Sequence, residues 1–207
     1  MNLDPCLPPY EGIRRADVWL VQSPETAAAA LAILAAADVI GFDTESKPTF
    51  AKGEVSQGPH LIQLATDDKA FLFPVGQLPD LDAVKAILES ERILKVGFGL
   101  GDDVRRLESK LGICPAHVLD LSRALRAEER NDLGAKTAVA RFFGMKLQKS
   151  KRISTTNWAH PRLTERQILY AADDAQVPLR VYRAWLRSRP DAVRRDEDAI
   201  AVEISGK

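Results

Sequence analysis

The stretch that most constrains this chain is Val39-Ile40-Gly41-Phe42-Asp43-Thr44-Glu45. A short run of apolar and β-branched residues reads as a buried strand. Residues i and i+2 of a strand point to the same face, so Asp43 and Glu45 project together from its end. Two neighbouring carboxylates repel each other unless a cation sits between them. Taken alone, the pair fits either a strand that ends in solvated charges or half of a cation site. The rest of the chain has to supply partners for the second reading to stand.

Length and composition bound the answer. At 207 residues, 45% hydrophobic and 28% charged, the chain suits one domain with a sizeable core and not a disordered polymer. Lys+Arg and Asp+Glu are both 29. Bulk charge therefore gives no case for nucleic-acid binding, which has to rest on local patches. Cys6 and Cys114 form no CxxC pair, which argues against a zinc site and a disulfide framework. That usage fits a reducing cytosol, and a cytoplasmic location is the expectation. Met1 to Tyr10 carries three prolines and lacks the pattern of a secretory signal. The longest apolar run, Ala27 to Ala37, is too short to span a bilayer. Ser23, Pro24 and Glu25 before it make a helix start. No membrane partner is expected.

Along the chain, an irregular arm (1–16) precedes a short strand at Val18–Val21 and the Ala-rich helix. A polar loop from Ser46 to Pro59, with Pro48, Gly53 and Gly58, follows the opening strand. The runs His60–Ala65 and Ala70–Val75, separated by Thr66-Asp67-Asp68-Lys69, give a hairpin signal. With the opening strand they make a three-stranded antiparallel meander. Pro79–Ser90 has helical spacing, and Ile93–Phe98 reads as another buried strand. A helix carrying Val104, Leu107 and Leu111 comes next, then a short strand at Val118–Leu121. Helices are expected around Ser122–Ala127, Leu133–Phe143 and Thr164–Arg187. The last opens on the capping-box pattern Thr164-Glu165-Arg166-Gln167 and contains Pro178, which lacks an N–H for the Asp174 carbonyl and should kink or loosen the helix there. A charged tail follows Pro190. The mixture of strands and helices indicates an α/β domain.

Two further constellations carry carboxylates. Gly97-Phe98-Gly99-Leu100-Gly101-Asp102-Asp103 places glycines between a strand and a helix, which invites a dinucleotide-binding reading. That reading fails on charge. Asp102 stands where a third glycine is needed, at a helix N-terminus that would receive pyrophosphate. Asp102 suits a capping role. Asp103 lies one turn before Leu107, at the edge of the buried face, where a carboxylate is costly unless paired or metal-bound. In Ile168-Leu169-Tyr170-Ala171-Ala172-Asp173-Asp174-Ala175, Tyr170 and Asp174 share a helix face and Asp173 points elsewhere. Asp173 is assigned to the surface.

The set Phe42-Asp43-Thr44-Glu45, Gly-x-x-x-Asp103 and Tyr170-x-x-x-Asp174 resembles the DEDDy group of 3′–5′ exonucleases, most of all the ribonuclease D and Werner-type exonuclease domains. Leu61-Ile62-Gln63-Leu64, Thr156-Asn157-Trp158, Leu163-Thr164 and Gln167 resemble the text between the family's motifs. The resemblance covers roughly 18–187, and the whole chain, 1–207, is expected to be a single exonuclease domain with an arm and a tail. It implies a ribonuclease H-like α/β fold, a mixed five- to six-stranded sheet flanked by helices. It also implies that Asp43, Glu45, Asp103 and Asp174 hold two divalent metal ions, Mg²⁺ or Mn²⁺, with Asp43 the better candidate to bridge both. Tyr170 would orient the attacking water. The implied substrates are single-stranded or frayed DNA or RNA 3′ ends. This chain departs from the family in having Ser46 where an aromatic residue often follows Asp-x-Glu. The basic stretch Arg141–Arg152 suits contact with a nucleic-acid backbone. The candidate substrate contacts are Thr44, Lys149, Arg152 and Trp158, the last readable either as a stacking platform or as core. RNA processing and a catalytically silent nucleic-acid-binding domain are the alternatives.

Overall fold

The computed structural model describes residues 6–49, 55–128 and 133–188. The first residues of the arm, Gly53 of the polar loop and the tail after Pro190 lie outside the described residues. The elements run β1 (Val18–Leu20), α1 (Pro24–Ala35), β2 (Val39–Glu45), β3 (Leu61–Ala65), β4 (Ala70–Pro74), α2 (Asp82–Leu88), β5 (Leu94–Gly97), α3 (Gly101–Arg106), β6 (Val118–Asp120), α4 (Leu121–Ala124), α5 (Ala135–Phe143), α6 (Lys151–Ser154) and α7 (Glu165–Ser188). The strands form one six-stranded sheet in the order β1-β4-β3-β2-β5-β6. β2, β3 and β4 make the expected antiparallel meander, while β1 joins β4, β5 joins β2, and β6 joins β5 in parallel.

β2 sits in the middle of the sheet, so both of its faces are covered and its sequence is almost wholly apolar before the acids. Ile40 and Phe42 turn to one layer, where they meet Leu34 of α1 and Val84 and Leu88 of α2. Burying a side chain such as Phe42 contributes about 1.5–3 kcal/mol. Gly41, on the other face, lies under α7. A Cβ at Gly41 would come within 1.8 Å of the Ala175 carbonyl oxygen, so glycine is what lets α7 approach. α7 lies across β1 to β5 and carries Ile168, Ala171, Ala172 and Ala175 into the core. Its first turn is closed as the capping box required: Gln167 Oε1 accepts from the Thr164 backbone N–H at 2.9 Å. Farther along, Arg183 of α7 donates to Asp38 just before β2 at 2.7 and 3.0 Å.

Several boundaries differ from the sequence reading. The helix after Asp103 is α-helical only to Arg106; Leu107–Leu111 is wound as a π-helix that ends at left-handed Gly112. The Ser122–Ala127 helix is a short α4 followed by a 3₁₀ turn at Leu125–Glu128. α5 starts at Ala135 because Gly134 is its N-cap. Inside β5, Lys95 is fully buried, yet its ammonium donates to the carbonyls of Ser90 and Ile93 at 2.6 and 2.7 Å. Burial pulls its pKa down to about 8. No described helix is long and apolar enough to cross a membrane.

Candidate active site

The alternation of β2 sorts its C-terminal residues. Asp43 and Glu45 share the α7 face with Gly41, as two-residue periodicity requires, and Thr44 turns to the opposite face. α7 presents Tyr170 and Asp174 one turn apart, and the Tyr170 hydroxyl donates to the Asp174 carboxylate. α3 supplies Asp103 from its first turn. Three elements distant in sequence thus place Asp43, Glu45, Asp103, Asp174 and Tyr170 around one site.

The electrostatics are those of a crowded acidic cradle. Burial, then the charges of Asp174, Asp103 and Glu45, push the Asp43 carboxyl well above its ordinary range. Burial and the Asp174 charge lift Glu45 to about 8. Burial also raises Asp103 and Asp174, against hydrogen bonds from Thr44 to the first and from Lys149 and Tyr170 to the second. Burial and the charges of Asp174 and Glu45 hold the Tyr170 phenol far above its usual range, so it keeps its proton.

Two of the acids are already engaged by protein groups. The Thr44 hydroxyl donates to Asp103 Oδ1. The Lys149 ammonium lies 2.9 Å from Asp174 Oδ1. Among the described residues no three acids are gathered into a ready-made ion site. The donor set nevertheless fits hard divalent cations: four carboxylates in mutual repulsion, with an ammonium drawn in among them. An ion shared by all four would compete with Thr44 for Asp103 and with Lys149 for Asp174.

The other assignments divide. Arg152 is exposed on α6, as a substrate contact requires. Thr44 is buried and bonded to Asp103, so its side chain braces a neighbouring acid. Trp158 is 2% exposed. Its indole packs 6.1 Å from the Tyr170 ring and donates to the Ser154 carbonyl, so it is core and not a stacking platform. Asp102 makes no cap; it pairs with Arg105 on the surface of α3. Asp173 is not a surface acid. It accepts the Ile13 backbone N–H at 2.8 Å and fastens the N-terminal arm to α7.

One support of the site was missed in the sequence. Asp120, at the end of β6, accepts from the backbone N–H groups of Gly99, Leu100 and Ser122 at 2.9, 3.1 and 2.9 Å. It thereby fixes the turn that delivers Asp103. An Asp two residues before Ser at a strand end is the cap signal that could have found it. Gln63 pairs directly opposite Asp43, on the same face, and is fully buried. Neither its side-chain oxygen nor its nitrogen has a hydrogen-bond partner among the described residues.

A mixed sheet with an acidic cradle at the end of its central strand defines a ribonuclease H-like domain. A family model described as 3'-5' exonuclease matches residues 18–187, and the chain belongs to that family. It is 33% identical over 193 residues to the exonuclease mut-7 homolog of Aedes aegypti, covering 81% of this chain and 26% of that protein. It is 30% identical over 151 residues to the bifunctional 3'-5' exonuclease/ATP-dependent helicase WRN of Mus musculus, covering 70% of this chain and 11% of that one. The chain therefore spans only about a quarter and about a tenth of these two relatives. Among solved structures, the Aedes aegypti Nibbler EXO domain superposes with a TM-score of 0.74 at 28% identity, covering 86% of this chain and 91% of that one. Escherichia coli RNase D, at 24% identity and a TM-score of 0.71 over 88% of this chain and 49% of that one, shares the fold.

Proposed function

We propose that this chain hydrolyses phosphodiester bonds at the 3′ ends of single-stranded or frayed nucleic acid, releasing nucleoside 5′-monophosphates with the help of two divalent ions. The observation that carries this reading is the convergence of Asp43, Glu45, Asp103 and Asp174 with the Tyr170 hydroxyl. The four carboxylates would hold Mg²⁺ or Mn²⁺. When bound, two such ions make a water nucleophilic at neutral pH and stabilise the leaving oxygen of an in-line displacement.

The remaining work falls to the protein. Tyr170 keeps its proton, so it is no general base; its hydroxyl orients the attacking water by hydrogen bond. The capping of α7 by Thr164 and Gln167 fixes the register of Tyr170 and Asp174. A ribonuclease D among the relatives, 31% identical over 185 residues, supports RNA as one substrate. The test uses 5′-labelled single-stranded DNA and RNA with Mg²⁺ or Mn²⁺, wild type against Asp43→Ala. Stepwise shortening from the 3′ end by wild type alone is the expected result. No shortening, or equal shortening by both proteins, overturns the assignment. The faster of the two substrates identifies the nucleic acid.

A further inference from the structure

We propose that Lys149 is a tethered counter-ion of the carboxylate cradle, and that its ammonium competes with divalent cations for Asp174. The inference rests on the metal-dependent reading above.

Lys149 comes from the segment between α5 and α6, and its ammonium reaches Asp174 Oδ1 at 2.9 Å. The carboxylate is 5% exposed and the lysine side chain 30% exposed, so this is a contact at the floor of the site and not a surface pair. The segment that carries it is built in. Lys146 donates its N–H to the Pro8 carbonyl at 2.8 Å, and its own carbonyl accepts from the Tyr10 N–H at 3.0 Å. The adjacent Leu147 is buried. Two residues beyond Tyr10 the arm closes on α7, where Gly12 lies against the Asp173 carboxylate and Asp173 holds Ile13. Tyr10 also packs on Phe143 at 6.0 Å and accepts from Arg180 at 3.1 Å. Arm, lysine segment and α7 form one clip that directs the ammonium into the cradle.

The charges explain why a lysine belongs there. Four acids confined together repel, and a buried acid with no compensating charge is strongly destabilising. Lys149 acts on Asp174, Asp43 and Glu45 together. A divalent ion held by Asp174 would lie close to the ammonium that sits 2.9 Å from its Oδ1, and a dication repels an ammonium at that range. Binding the one would therefore disfavour the other. Lys149 is a positioning residue: it keeps the acids in place and sets the metal concentration at which the site loads.

Isothermal titration of Mn²⁺ into wild type, Lys149→Met and Lys149→Arg tests this at one pH and ionic strength. Competition predicts binding at least about tenfold tighter in Lys149→Met, a modest share of one close charge pair. Lys149→Arg, which keeps the charge, stays near wild type. In EDTA, Lys149→Met melts below wild type, and saturating Mn²⁺ closes the gap. Unchanged or weaker Mn²⁺ binding by folded Lys149→Met overturns the proposal. A second measurement needs no variant: acetylation of Lys149 in wild type, followed by mass spectrometry. Competition predicts severalfold faster labelling with Mn²⁺ than in EDTA, and equal or slower labelling overturns it. Wild type that stays folded and binds no Mn²⁺ sinks the metal reading and the competition together. Normal wild-type binding with no gain in Lys149→Met sinks the competition alone.

Discussion

Glu45 shows how much of the site is written in single residues. Burial and the Asp174 charge move its carboxyl from 4.5 to about 8. Between those values the folded chain holds a proton that the unfolded chain gives up. Stability therefore falls as pH rises across this window. Asp43, Asp103 and Asp174 are raised as well and act with the same sign. His60 is lowered from 6.5, so it opposes them only below about that pH. Lys95, lowered to about 8, acts above it. The interval from about pH 6.5 to 8 isolates the cradle. In EDTA the melting temperature of wild type should fall across that interval, and Glu45→Gln should flatten the fall. Equal slopes for the two proteins would remove Glu45 from the titration. Protons and metal compete for the same oxygens, so Mn²⁺ affinity should rise over the same interval. Tyr170→Phe separates two roles in the same way. It should keep Mn²⁺ affinity within about twofold and lose about 10²–10³-fold in kcat, the range for removing one preorganised hydrogen-bonding group. Lost metal affinity would make Tyr170 a support for Asp174 only.

At the scale of elements, the site depends on how closely α7 approaches β2. Gly41→Ala drives a methyl into the Ala175 carbonyl. It should lower stability by about 3 kcal/mol, the upper end for overpacking, with an unchanged urea m-value. It should also weaken Mn²⁺ binding, because Asp43 and Asp174 are moved apart. A wild-type urea midpoint would mean that the helix yields without strain. These elements were legible in sequence because their signals are local. Two-residue alternation placed Asp43 beside Glu45, four-residue spacing placed Tyr170 beside Asp174, and the capping box marked the start of α7. What was not legible is long-range. Helical spacing turns Asp173 from Asp174 and so points it to the surface; the arm returning over α7 half-buries it. Trp158 is readable from sequence as platform or as core, and α6 and α7 close on it to make it core. Lys149 lay in a basic run that pointed to phosphate, and nothing in that run signals an acid 25 residues later. The π-wound turn after Asp103 has no compositional mark at all.

For the molecule as a whole, 29 basic and 29 acidic residues leave no bulk attraction for a polyanion. The cradle itself repels phosphate until it is neutralised. Grip on a strand has to come from a local basic surface, and the fold divides the Arg141–Arg152 run unequally. Lys149 turns inward to Asp174, and the Lys146 backbone is tied to the arm. Lys151 and Arg152 remain exposed on α6, which packs against α7, the helix that carries Tyr170. If a strand crosses this surface to reach the cradle, these two side chains grip it. Each phosphate neutralised on a single strand contributes about 0.7 to the slope of log affinity against log salt. In an Asp43→Ala background, which leaves the oligonucleotide intact, replacing both Lys151 and Arg152 by alanine should therefore reduce that slope by about 1.4. The affinity loss should be greatest at low salt and similar for different base sequences, because backbone contacts do not read bases. Fluorescence anisotropy of a labelled single-stranded oligonucleotide across a salt series measures both. An unchanged slope would move the strand off α6 and leave the acidic site to be reached from another side of the sheet.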